Sequence, residues 1–254
     1  MHFIDAHAHL SFFNPDQLKT VFSEAQLQNI HEWILAGYDS ADWQKQLTLF
    51  EDRPQAQPCF GLHPWRVFDL SLHEIEKELR ILETLLPQAK GCGETGIDGF
   101  RATEKADIEK QRVVFERHLE LNKEFQLPLV LHIVQSHEIA LQILKNYSYT
   151  GLAHGFSGSW ETAKNYIKLG YKISIGRGIY EKGYKHLKDT AAKIDLKDFV
   201  IESDSFVSED GVAEEPAAIL IKVAKTLAAI KNVSVEKICL ANYENVKSVF
   251  TSAV

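Results

Sequence analysis

"PLVLHIVQSHEIALQILKNYSYTGLAHGFS", residues 128 to 157, holds two short apolar runs with a longer amphipathic segment between them, and each run arrives at a histidine, His132 and His154. Apolar runs of this length read as strands buried on both faces, and two strands joined through a helix pair in parallel. The same alternation continues in both directions. Strands are expected near 2–7, 32–38, 56–63, 90–97, 128–134, 151–157, 171–176 and 198–204. Helical patterns fill the intervals, among them 106–126 with apolar Val113, Val114, Leu119 and Leu121, 214–231 opening on an acidic turn and Pro216, and 234–250 capped by Ser234. Eight such repeats close into a (β/α)₈ TIM barrel of the α/β class, and the chain 1–254 is expected to be one barrel; an open doubly wound sheet is the alternative.

The composition, 45% hydrophobic and 25% charged, is that of a globular protein able to bury a sizeable core. A net charge of -7 excludes a broad basic face for gripping nucleic acid, so any phosphate must be held locally. Cys59, Cys92 and Cys239 are odd in number and form no CxxC pair, which points away from disulfides and thiolate zinc sites. Cys59 and Cys92 sit in strand-like runs and read as core residues. With no leader-like start and no run near the ~18 apolar residues of a membrane span, a cytoplasmic protein without a membrane or obligate protein partner is expected.

Barrel enzymes gather their chemistry at the C-terminal ends of the strands. In "FIDAHAHLSF", residues 3–12, strand alternation puts Asp5, His7 and His9 on one face and Ala6 and Ala8 on the other. His63, Glu94, His132, His154 and Asp204 end the strands that follow. Each alone has an ordinary explanation, as a turn residue, a satisfied core histidine or a helix cap. Gathered at one mouth they would be costly to bury unless paired or bound to cations. Imidazole and carboxylate without thiolate suit divalent cations such as Mg²⁺, Mn²⁺ or Zn²⁺, and the number of ligands suggests two ions. Glu94 is placed to bridge them. Gly93 and Gly96 either give its side chain room or simply serve a turn.

HxH on strand one, "GLHP", "GETGID", "LH" on strand five, "HGFSGS", "IESDS" and the late "EEP" and "NVKSVF" together resemble the TatD-type metal-dependent hydrolases, a branch of the amidohydrolase superfamily. The resemblance covers nearly the whole chain. It implies a binuclear site with His7, His9 and Asp204 on one ion, His132 and His154 on the other and Glu94 between them. It also implies a deoxyribonuclease, in some members a 3′ to 5′ exonuclease, with His63 near the phosphate and DNA or a small phosphodiester as substrate. The sequence departs from the family where an Arg commonly follows the strand-five histidine: Val134 stands there, and Arg66, Arg101 and Arg177 are the candidate substitutes for holding phosphate. In this reading Asp204 accepts a proton from water, His63 serves the leaving oxygen, and Asp98 orients a ligand or caps the next helix. Amidohydrolase chemistry on a small ester, amide or lactone is the nearest rival; the absence of a strand-four lysine weighs against it. A non-catalytic scaffold is a more distant one.

Overall fold

The computed structural model describes residues 3–102 and 104–250. The expected strand boundary at His2 and the chain ends at 1 and 251–254 lie outside the described residues. Among the described residues nine parallel strands are present: β1 (Phe3–Ala8), β2 (Ile30–Leu35), β3 (Ala56–Gln57), β4 (Cys59–Phe60), β5 (Gly91–Asp98), β6 (Leu129–Val134), β7 (Gly151–His154), β8 (Tyr171–Ile175) and β9 (Phe199–Ile201). They run in the order β1-β2-β3 and β4 through β9, every pairing parallel, with helices in the connections. The expected third strand is therefore one stave in two pieces. Pro58 divides it, because proline has no N–H to offer a ladder, although its carbonyl still accepts from Lys90 N–H at 2.7 Å. Eight staves remain, and the architecture is an α/β barrel.

The parity of the strands sorts the core into two layers. Val130, Leu152 and Val200 join Ile4, Ala6, Ile34 and Cys59 in a small cluster, while their neighbours Leu129, Leu131, Ala153, Phe199 and Ile201 belong to the large cluster shared with the helices. The small cluster is the barrel interior, and Val246, Val249 and Phe250 of the helix Val235–Phe250 pack against it. Ser234 accepts from Lys237 N–H at 3.2 Å at the start of that helix, as expected of a cap. The helix Lys105–Phe125 corrects the periodic reading: Val113 is exposed, and Gln111, His118 and Asn122 are buried instead. Each has a partner, with His118 Nε2 accepting from Leu62 N–H at 2.9 Å and Gln111 accepting from Asp98 N–H at 2.7 Å. Burial of these polar groups ties the helix to the segments that carry His63 and Asp98.

Among the described residues β9 and β1 share no ladder, and three other devices join them. Asn242 supplies the missing rung, its carbonyl accepting from Ile201 N–H and its amide donating to Ile4 C=O, both at 2.7 Å. Higher up, the Asp5 carboxylate accepts from Ser203 N–H at 2.9 Å and from Ser203 Oγ. At the rim, Asp204 N–H donates to His7 C=O and His9 N–H to Ser205 C=O, both at 2.9 Å. Strict alternation in β1 is thereby corrected. The register slips between Asp5 and Ala8, Ala6 joins the interior cluster, and Asp5 serves the seam while His7 and His9 face the rim.

Gly93 and Gly96 both lie inside β5, at φ of +151° and +146°, rather than in a turn. A Cβ on either would stand 2.3 Å from Val130 C=O or 2.2 Å from His132 C=O. Their role is close approach of β5 to β6, which carries Glu94 toward the middle of the mouth.

Candidate active site

Glu94 is fully buried and meets five imidazoles. Its Oε2 lies 3.4 Å from His7 Nε2 and 3.2 Å from His9 Nε2; its Oε1 lies 3.5 Å from His63 Nε2, 3.3 Å from His132 Nδ1 and 3.3 Å from His154 Nε2. Asp204 Oδ1 stands 3.9 Å from His7 Nε2 and 3.6 Å from His9 Nε2, at the solvent edge of the group. Side chains from six staves thus converge on one mouth; Glu94, expected at a strand end, lies instead within β5, four residues before its last residue Asp98.

The rear nitrogens of the rings are as informative as the front ones. His132 turns Nε2 to Asp98 Oδ2 at 3.1 Å, and His154 turns Nδ1 to Glu202 Oε1 at 3.3 Å. A carboxylate behind an imidazole fixes the ring and its tautomer, leaving the forward nitrogen as a donor atom. Glu202 is itself held by Gly155 N–H at 2.7 Å and by Ser174 Oγ. Sequence reasoning passed over Glu202, yet "IESD" placed it two residues before Asp204. Asp98 does two jobs: Oδ1 accepts from Phe100 and Arg101 N–H, both at 2.9 Å, closing a turn, while Oδ2 takes His132 and Trp65 Nε1–H, the latter at 2.6 Å. It caps that turn rather than the next helix, which begins at Lys105.

His63 differs from the others. Its Nδ1 accepts from Trp65 N–H at 3.0 Å, and burial pushes its pKa down to about 4, so the neutral ring carries its proton on Nε2, facing Glu94. Burial opposes charge on His154 too, but Glu202 and Glu94 outweigh it and raise its pKa to about 10. Burial likewise opposes charge on His9 and His132; Glu94 raises the first, and Asp98 with Glu94 raises the second. His7 goes the other way, lowered by burial and by His154 stacked on it at 3.9 Å. Burial alone would raise Glu94, yet the imidazoles of His7, His63 and His154 and the bond to His132 hold it well below the usual carboxylate range.

This donor set fits a divalent cation. His7, His9 and Asp204 each bring one ligand atom within 4.8 Å of the others; His63, Glu94 and His132 form a second such group, and His7, His154 and Glu202 a third. His7 Nδ1 and Nε2, His9 Nδ1 and Glu94 Oε2 are buried without a hydrogen-bond partner, a cost that a bound cation removes for the atoms facing the site.

The candidate phosphate-holding arginines are placed differently. Arg177 is committed to Glu214, its Nη2 at 2.6 Å from Oε2, and also donates to the Asp204 carbonyl at 2.9 Å. Arg66 pairs with Asp39 at 3.1 Å, and the Arg101 guanidinium lies over the Trp65 ring at 4.9 Å. None lines the cavity above Glu94. Cys59, Cys92 and Cys239 are free and buried.

The family model for the TatD-related DNases matches residues 4–251. The chain belongs to this family. It is 30% identical over 207 residues to the uncharacterised metal-dependent hydrolase YjjV of Escherichia coli K12, covering 80% of this chain and 79% of YjjV. It is 27% identical to the human deoxyribonuclease TATDN3, over 97% of this chain and 94% of that protein. The crystal structure of YjjV superposes with a TM-score of 0.86 at 25% identity, covering 98% of each chain. An organophosphorus hydrolase from Deinococcus radiodurans shares the fold alone, with a TM-score of 0.67 at 11% identity, over 98% of this chain and 92% of that one. The chain is a TatD-family metal-dependent hydrolase, and none of its helices, among the described residues, is long and apolar enough to cross a membrane.

For this TatD-family site, Glu202→Gln tests the support behind His154. The variant keeps the acceptor for Gly155 N–H but loses the charge behind the ring. Metal affinity should fall roughly 10–100-fold, read by calorimetric titration with Mn²⁺; wild-type affinity would show that His154 needs no carboxylate.

Proposed function

We propose that this protein is a deoxyribonuclease that hydrolyses phosphodiester bonds with two divalent cations, acting on DNA ends or on small phosphodiesters. The observation that carries the reading is Glu94, a buried carboxylate with both oxygens facing imidazoles, beside a solvent-reaching Asp204. His7, His9 and Asp204 would hold one cation and His132 and His154 the other, with Glu94 between them. The mixed imidazole and carboxylate donors accept Zn²⁺ or Mn²⁺, and Mg²⁺ through the carboxylates. Bound there, the cations supply Lewis-acid polarisation of the phosphoryl group and acidify water.

The remaining chemistry belongs to the side chains. Asp204, at the solvent edge, takes the proton released by the attacking water. His63, neutral and with its proton on Nε2, donates a hydrogen bond that stabilises the charge developing on the departing oxygen, and that oxygen takes its proton from solvent water. Asp98 and Glu202 keep His132 and His154 turned inward. The name of the human relative TATDN3 supports DNA as the polymer.

Metal-loaded protein should release nucleotides from single-stranded oligonucleotides labelled at the 3′ or the 5′ end, and the pattern of labelled products gives the polarity. Hydrolysis of simple amides or lactones with every oligonucleotide left intact would overturn the reading.

A further inference from the structure

The cavity over Glu94 measures about 420 Å³, in the range of sites that enclose one small ligand. Its wall is aromatic on one side. Phe206 follows β9, Phe12 follows β1, Tyr38 follows β2 and Trp65 follows β4, so four consecutive staves each contribute one ring to the lining. Phe12, Trp65 and Phe206 remain 39–40% exposed, an arrangement that costs free energy around a single opening unless something covers it.

These rings are fixed in place. Phe12 sits in a short turn whose Ser11 is anchored on Asp42, and its ring stacks with His9 at 5.5 Å and 16°. Trp65 is locked by its Nε1–H bond to Asp98, the same oxygen that meets His132. Arg101 lies over Trp65 at 4.9 Å and Arg177 over Phe206 at 5.8 Å, so the nearby cations are directed to the rings. Among the described residues no Arg or Lys lines the cavity, and Val134 ends β6 without a charge.

We infer that the arc of Phe206, Phe12, Tyr38 and Trp65 is a nucleobase subsite: it takes one unpaired base of the nucleotide whose phosphodiester lies over Glu94. This rests on the phosphodiesterase reading and narrows it. Recognition runs through the plane of the base, which every base possesses, so unpaired ends and short fragments are the substrates and the sequence of the strand matters little. Duplex DNA, whose bases are stacked on one another, does not fit.

The test is binding of dAMP against 2-deoxyribose 5-phosphate to the Mn²⁺-loaded protein, by calorimetry. Wild type should bind dAMP roughly 5- to 150-fold more tightly, the range for one stacked base. The Phe12→Leu/Phe206→Leu variant, which keeps apolar volume without ring faces, should lose most of that preference while its affinity for the sugar phosphate stays unchanged. Equal affinities in wild type, or an undiminished preference in the variant, would overturn the subsite. The two readings fail separately. A base preference that the variant loses, with oligonucleotides left uncleaved, upholds the subsite and removes the nuclease. Cleavage at equal rates with and without a terminal base does the reverse.

Discussion

Glu94→Gln should give a folded barrel that takes up little metal and turns over little substrate. The substitution preserves shape and removes the one charge that faces five rings. Glu94 contacts His7 and His9 through one oxygen and His63, His132 and His154 through the other, all within 3.5 Å. Among the described residues no other carboxylate stands within 4.0 Å of an imidazole nitrogen in both sets. The loss should exceed the roughly 10–100-fold typical of outer partners of metal ligands. Metal content by elemental analysis and kcat/KM measured together would show it; a variant with wild-type values of both would remove Glu94 from the centre of the site.

Asp204→Asn should separate chemistry from assembly. Asp204 lies at φ of +50°, in the left-handed region, where Asn is tolerated as well as Asp. Its N–H bond to His7 and its carbonyl bond from Arg177 are backbone interactions that the change leaves intact. The variant should therefore fold with wild-type thermal stability. An amide accepts no proton, and its neutral oxygen is a weaker ligand for the cation shared with His7 and His9, so at saturating Mn²⁺ kcat should fall about 10²–10⁴-fold with a much smaller change in KM. Undiminished kcat would assign the proton to another group.

What the sequence made legible follows from periodicity. Strands announced themselves as apolar runs, and their ends delivered His132, His154 and Asp204 to the mouth because the barrel has only one such face. His63 sits past its strand, as the cap of a short helix, where chain position alone still located it. The illegible parts depend on partners far away in the chain. Nothing local reveals that Arg177 is bound to Glu214, so its availability for phosphate could not be read from the loop that carries it. Alternation put Asp5 on the face of His7 and His9, and only its hydrogen bonds across the seam show that it belongs to Ser203. Phe12, Tyr38, Trp65 and Phe206 lie in four separate connections that follow strands, each an ordinary aromatic until the barrel brings them round one opening.

The junction between β1 and β9 bears on how the molecule is made. Asp5 waits for Ser203, 198 residues later, and Ile4 waits for Asn242, 238 residues later. Contacts of such high order form slowly, since a long loop must close before they repay its entropy. During synthesis the first strand leaves the ribosome with an open edge and keeps it until almost the last helix has emerged. His7 and His9 meet Asp204 only when that edge is closed, so a truncated or stalled chain cannot become a partly active hydrolase.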